Sequence, residues 1–258
     1  MAATIAALYR YPVKGFSPEA LETVEVSTGG TLPLDRAFAI ENGPTGFDVT
    51  APGHFPKIRF LMLMRNERIA QLKTRYEPES KRWTIRQGDA VAVSGRLDVA
   101  EDRARIEAWI ATHFAGELRG EPRILAGEGH SFSDVARKVL HVVNLASVRD
   151  LEARTGMRID PLRFRANVYV DGIPAWSEFD WVGTALAAGA VGLRGVKRTE
   201  RCAATNVDPQ TGARDRTIPR DLMRLYGHAD CGIYVEVTEG GRLAAGDAID
   251  RAQSELPL

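Results

Sequence analysis

Apolar residues fill positions 3 to 10, a short strand that Pro12 and Gly15 break, because proline cannot donate to a ladder. Lys14 is thereby carried in a loop flanked by proline and glycine. Leu21 to Val26 alternates in the manner of a half-buried strand, and Gly29-Gly30 turns the chain. Asp35-Arg36 leads into the apolar run Ala37 to Ile40, placing an acid and a base at the mouth of a buried strand, either as a surface pair or as an anion contact. Residues 45 to 56, rich in Gly and Pro, read as a loop, and strands are expected near Ile58 to Arg65, Ile69 to Tyr76 and Trp83 to Ile85. Short strands at this spacing suggest an antiparallel barrel or sandwich. From Asp98 to Ala115 the period changes: Ile106, Ile110 and Phe114 recur every four residues, which predicts an amphipathic helix with Gly116 as its C-cap and Trp109 and His113 on its flank.

The second half begins with a loop, Gly127 to Asp134, followed by a strand from Val139 to Leu145. Ser147 to Asp150 reads as a capping box opening a helix that Gly156 closes. Leu162 to Val170 is expected to return to strand, with Arg163, Arg165 and Asn167 on one face, either the wet side of a sheet or the floor of an anion site. Trp181 to Leu193 reads as strand or turn, and Val196 to Gly212 as a strand ending in the turn Asp208-Pro209-Gln210-Thr211-Gly212. A helix runs from Pro219 through Leu222, Leu225 and Tyr226 to its stop at Gly227, and strands at Cys231 to Thr238 and Leu243 to Ile249 flank the turn at Gly240-Gly241. The predicted class is mostly β with several helices (α+β), and the chain divides near residue 120 into segments 1–120 and 121–258.

Composition narrows the chemistry. Lys plus Arg and Asp plus Glu both total 34, so the whole chain has no field to attract nucleic acid or an acidic membrane. No apolar run is long enough to span a bilayer, and the N-terminus has no basic region ahead of its apolar residues, so a cytoplasmic location is the expectation. The five histidines share no ligand spacing, and the two cysteines, Cys202 and Cys231, form neither a disulfide framework nor a metal cluster. Locally the charge balance breaks: Arg194 to Arg224 holds eight basic residues against four acidic ones, preceded by Arg158, Arg163 and Arg165. Arginine forks suit phosphate and other bidentate anions, so this surplus reads either as a solvated face or as a site for a small anionic ligand. Within it sits Cys202, among Lys197, Arg198 and Arg201. Such surroundings favour the thiolate, which binds soft metals, while the alternative reading is a small buried apolar side chain. Cys231, with only His228 as a basic neighbour, reads as structural.

These residues resemble a known pattern. TyrProValLys at 11 to 14, AspArg at 35 to 36, SerAsp at 133 to 134, ArgPheArgAlaAsn at 163 to 167, AspTrp at 180 to 181, and ArgCys followed by ValAspProGlnThrGly within 201 to 212 occur in the order found in MOSC-domain proteins. The family takes its name from the C-terminal domain of molybdenum cofactor sulfurase, and the chain is most similar to the two-part members related to the mitochondrial amidoxime-reducing component. The resemblance implies an N-terminal β-barrel-like MOSC_N domain packed on a MOSC β-barrel. It also implies a molybdenum cofactor (Mo-molybdopterin) with Cys202 as metal ligand and catalytic residue, Lys14 and Arg36 on the cofactor's phosphate, and Asp134, Arg165, Asn167 and Arg201, with Ser133, on the pterin. The implied activity is reduction of N-hydroxylated small molecules such as amidoximes and hydroxylamines. Electrons would come from an external donor, a reductase or a ferredoxin-like or flavin protein, since no flavin motif or cluster-binding cysteines are present. The alternative is a non-catalytic carrier of the cofactor or of persulfide sulfur. Gly15, Ala166 and Glu200 stand where relatives often have serine, proline and a small polar residue, and Glu200 would have to point away from an anionic cofactor.

Overall fold

A computed structural model describes residues 2–252. The first segment contributes strands β1 (Ala3–Arg10), β2 (Glu19–Leu21), β3 (Thr23–Val26), β4 (Phe38–Ile40), β5 (Leu72–Glu77), β6 (Arg82–Gln87) and β7 (Ala90–Arg96), then helix α1 (Ala100–His113). The second contributes β8 (Ile124–Ala126), β9 (Leu140–Asn144), α2 (Leu145–Thr155), β10 (Val168–Asp171), β11 (Ala185–Ala188), β12 (Val191–Glu200), α3 (Ile218–Tyr226), β13 (Asp230–Glu239), β14 (Gly241–Ala244) and β15 (Ala248–Arg251).

Seven strands close into a barrel in the order β1, β10, β9, β13, β12, β11, β15 and back to β1, with β2 pairing further along the edge of β1 that β15 uses. All of these pairs are antiparallel except β9 and β10, which run parallel. A parallel pair needs a crossover, and α2 supplies it. A bulge between Ile5 and Ala7 shifts the register of β1, so Ala3, Ile5 and Leu8 join one apolar cluster with Val142, Ile233 and Val235. Ala7 and Tyr9 pack instead against a second cluster, built on Val148, Leu151, Phe164 and Leu222, where α2 and α3 cover the sheet.

The barrel's closing strand therefore comes from the first segment. The same crossing recurs where β4 pairs with β8 and β3 with β14. The remainder of the first segment is the meander β5-β6-β7 with α1 packed on it through Ile106, Ile110 and Phe114. No helix among the described residues is long and apolar enough to cross a membrane.

Several local expectations change. Ile58 to Arg65 is not a strand: a 3-10 turn at Lys57–Arg59 precedes irregular chain whose backbone bonds go to Ile40 and the Asn66 side chain. The stretch from Ile69 begins as a 3-10 turn, Glu67–Gln71, before β5, and the strand β7 was missed because only two residues, Gly88 and Asp89, turn the chain between it and β6. Phe114, not Gly116, caps α1. Helix α2 opens on Asn144, whose side chain accepts from Ala146 N, while Ser147 is buried and donates to Glu178, so no capping box forms. Pro161–Phe164 is a 3-10 turn capped by Arg165 in the left-handed region (φ 51°), and only Val168–Asp171 is strand.

Candidate functional site

A cleft of about 520 Å³ opens between the two segments, and it is lined by Lys14 and Arg36 from the first and by Ser133, Asp134, Arg165, Asn167, Arg201 and Cys202 from the second. All eight residues implied by the resemblance are thus brought together. Arg163, their expected neighbour on one strand face, also borders the cleft, but its guanidinium is held by Asp208 and Asp215 in the loop after Cys202, because the 3-10 geometry of 161–164 removes the alternation that would have aligned it with Arg165.

The Lys14 loop is fixed from both sides. Lys14 N donates to Phe38 O, and Gly15 adopts φ +87° where a Cβ would lie 3.2 Å from Leu61 O, so glycine, in place of the relatives' serine, avoids both the strain and the contact. The Lys14 side chain is 6% exposed at the residue level and donates to Phe132 O (2.7 Å) and Asp134 Oδ1 (2.5 Å). Burial lowers its pKa, against the pull of Asp134. Burial by itself would raise Asp134, but the Lys14 and Lys57 ammonium groups hold its carboxyl well below the usual range.

Two arginines meet over one aromatic ring. Arg36 and Arg165 both have left-handed backbones (φ 51°), uncommon for residues with a Cβ and a recurrent feature of functional sites. Their guanidinium carbons lie 4.6 and 4.2 Å from the centre of the Tyr11 ring. Arg36 Nη1 donates to Asp35 Oδ2 and Nη2 to Arg165 O, which leaves Arg165 as the less neutralised of the two. Burial pushes the Arg165 pKa down to about 10, and Arg165 Nη2 is buried without a hydrogen-bond partner.

Cys202 is half-buried and lies two residues after β12, at the start of the 3-10 turn Ala203–Asn206, with its carbonyl accepting from Thr205 N and Oγ1. The strand expected through it ends two residues earlier, where Arg201 N bonds to Ala229 O. Arg201 Nη2 donates to Phe164 O (2.7 Å), Nη1 lies 3.2 Å from His141 Nε2, and Nε is buried without a partner. Arginine has no acceptor, so His141 Nε2 accepts and the imidazole is neutral. Burial and the adjacent Arg201 push its pKa well below the ordinary histidine value. Asn167 spans strands: its Oδ1 accepts from His141 N and its Nδ2 donates to Tyr9 O, leaving one N–H and one lone pair for the cleft. Ser133 Oγ donates to Val135 O. Glu200 is exposed and lies in the lining of the cleft. Cys231 is fully buried and burial pushes its thiol pKa far up, in keeping with a structural role.

Sequence reasoning missed Lys57, Tyr11 and His141. Lys57, in the 3-10 turn after Pro56, reaches Asp134 Oδ2 (3.4 Å) and lines the cleft with Cys202; burial opposes its charge, but Asp134 and Cys202 raise its pKa. Nothing in the local pattern marks it, whereas Tyr11 stood inside a quoted motif.

The MOSC N-terminal beta barrel domain matches residues 2–122 and the MOSC domain matches residues 123–250. The chain is 32% identical over 124 residues to mitochondrial amidoxime reducing component 2 of Rattus norvegicus, which covers 43% of this chain and 36% of that protein. It is 34% identical over 89 residues to mitochondrial amidoxime-reducing component 1 of Mus musculus, covering 34% and 26%. The match thus spans well under half the length of these relatives. The crystal structure of the YUAD protein from Bacillus subtilis aligns over 96% of this chain and 94% of its own, with TM-score 0.46 and 14% identity. With both segments matched from end to end, the chain belongs to the MOSC-domain family.

Proposed function

We propose that the chain is a molybdenum-cofactor-dependent oxidoreductase that reduces N-hydroxylated compounds such as amidoximes and hydroxylamines. Family membership supports a molybdenum-cofactor-related function, and the names of the relatives suggest the substrate class. The observation that carries the reading is the convergence of one sulfur, Cys202, with Lys14, Arg36, Arg165 and Arg201 on a single cleft in which Arg165 Nη2 and Arg201 Nε are buried donors lacking acceptors. A buried unsatisfied donor costs about 1–3 kcal/mol, so two on residues lining one cleft support a ligand that supplies acceptors. A phosphorylated pterin fits that demand with its phosphate and carbonyl oxygens, and a soft metal fits the thiol.

In this reading Cys202 is the metal ligand. Lys14 and Arg36 hold the phosphate; Arg165, Arg201, Asn167 and Asp134 orient the pterin, with Ser133 at its edge. The Tyr11 ring keeps the two guanidinium groups level, and neutral His141 holds Arg201 by accepting from Nη1. When bound, the cofactor supplies the two-electron exchange. The net change takes two electrons and two protons to convert N–OH to N–H and water, and the electrons come from an external reductase, ferredoxin-like or flavin protein.

The test is formation of benzamidine from benzamidoxime by molybdenum-loaded chain with a reduced viologen dye as donor. Turnover abolished by Cys202→Ala supports the reading. Molybdenum bound in full without turnover overturns it in favour of a cofactor carrier.

A further inference from the structure

The ValAspProGlnThrGly stretch does not enter the cleft. It docks on the first segment instead. Asp208 Oδ1 accepts from Gln210 N and Thr211 N, which shapes the turn, and Gln71 Nε2 and Lys73 Nζ reach Thr211 O (3.2 Å) and Gln210 Oε1 (2.7 Å). Gly212, at φ +74°, passes so near Glu67 that a Cβ would lie 2.9 Å from the Glu67 carbonyl oxygen.

Two residues beyond the stretch lies Arg214, whose guanidinium spreads over both segments. Its Nη2 donates to Met64 O (2.8 Å), Leu63 O (3.3 Å) and Glu67 Oε2 (2.9 Å), and its Nη1 to Ala203 O (3.4 Å). Met62, Leu63 and Met64 are the apolar wall of the cleft, and Ala203 is the residue after Cys202. A single planar fork thus ties the wall to the turn that carries the sulfur. Lysine, with one nitrogen, cannot hold all of these acceptors at once.

We propose that Arg214 is a positioning residue that fixes the width of the cleft between the Met62–Met64 wall and Cys202, and so sets the size of apolar group that passes the sulfur. Unbranched methionine side chains adapt to varied apolar shapes, so the held backbone, more than the side chains, is what limits access. The consequence for substrates rests on the reductase reading, while the clamp itself does not.

Full-length chain made in a host lacking molybdopterin is alkylated with iodoacetamide and, separately, with a bulky fluorescein maleimide, and the rate at Cys202 is followed by mass spectrometry. Cys231 is fully buried and serves as the internal control. In Arg214→Met the ratio of bulky to small rates should rise about tenfold or more, the change that loss of one charged hydrogen bond makes in an equilibrium. Arg214→Lys should lie between that variant and wild type. An unchanged ratio in folded Arg214→Met overturns the proposal. Should that variant fail to fold by circular dichroism, Glu67→Gln must shift the ratio in the same direction, and an unchanged ratio there overturns it equally. In molybdenum-loaded protein, Arg214→Met should change the KM for a bulky aryl amidoxime relative to a small hydroxylamine at unchanged metal content. A chain that binds no molybdenum ends the reductase reading and leaves the alkylation result standing; loaded chain with an unchanged alkylation ratio ends only the clamp.

Discussion

Arg163 is the buried charge on which the loop after Cys202 rests. Its side chain is 2% exposed and its Nη2 lies 2.9 Å from Asp208 Oδ2 and 2.8 Å from Asp215 Oδ1, with Nη1 on Asn206 O. Arg163→Met conserves much of the volume but removes the cation that Asp208 and Asp215 share, leaving Arg216 on Asp215 (3.0 Å) and, among the described residues, no side-chain cation on Asp208. Removing one partner of a buried pair costs about 3–5 kcal/mol. Here the aspartates are 23% and 34% exposed and regain water, so the cost is discounted to about 2–3 kcal/mol. In a chain of this size each kcal/mol moves Tm by about 2–4 °C, which gives a drop of about 4–12 °C by scanning calorimetry at neutral pH. Adding Asp215→Asn should hurt less in the Arg163→Met background than in wild type, since it removes the repulsion the first change created. A Tm loss under about 2 °C, or two strictly additive changes, would refute the reasoning.

Asp134 gives a pH prediction. Its carboxyl is held below its unfolded value by Lys14 and Lys57 against the opposing effect of burial, so its contribution is complete above the ordinary carboxylate range and fades as pH falls toward the folded value. The stability gap between wild type and Asp134→Asn in urea titrations should therefore narrow below about pH 4, and a constant gap would contradict the assignment. A fragment of residues 121–258 lacks β1, whose pairing with β10 and β15 closes the barrel, and it is expected to melt without a cooperative transition by circular dichroism. A sharp transition in that fragment would show that the 1–120 and 121–258 segments fold separately.

Elements set by local chemistry were legible in the sequence. The spacing of Ile106, Ile110 and Phe114 placed α1, and Gly227 marked the end of α3, where it adopts φ 75°. Elements set by distant partners were not. Nothing near Ala3 to Arg10 indicates that this strand closes a barrel with β10 and β15, more than 150 residues away. The strand expected from Leu162 to Val170 failed because Arg163 finds its partners at Asp208 and Asp215 in the far loop, and Tyr169 Oη anchors Pro161 O and Ala166 N in a compact turn. That failure matters for the site. A strand would have aimed Arg163 and Arg165 the same way, whereas with the left-handed backbone of Arg165 its guanidinium lies over the Tyr11 ring while that of Arg163 bonds to Asp208 and Asp215. Cys202, Arg201, Arg165, Asn167 and Arg36 stood out by local charge and pattern and Lys14 by its Pro/Gly-flanked loop, Ser133 and Asp134 were reachable only through their motif, and Lys57 and His141, placed by tertiary packing, carried no such mark.

The central claim is that Cys202 holds the metal in a cleft shared by both segments. The most direct measurement is the molybdenum-to-protein ratio, by inductively coupled plasma mass spectrometry, of wild type, Cys202→Ala and Cys231→Ala purified from one cofactor-competent host. The account predicts molybdenum in wild type and Cys231→Ala and its loss in Cys202→Ala; equal molybdenum in Cys202→Ala and wild type, or none in any of the three, would contradict it.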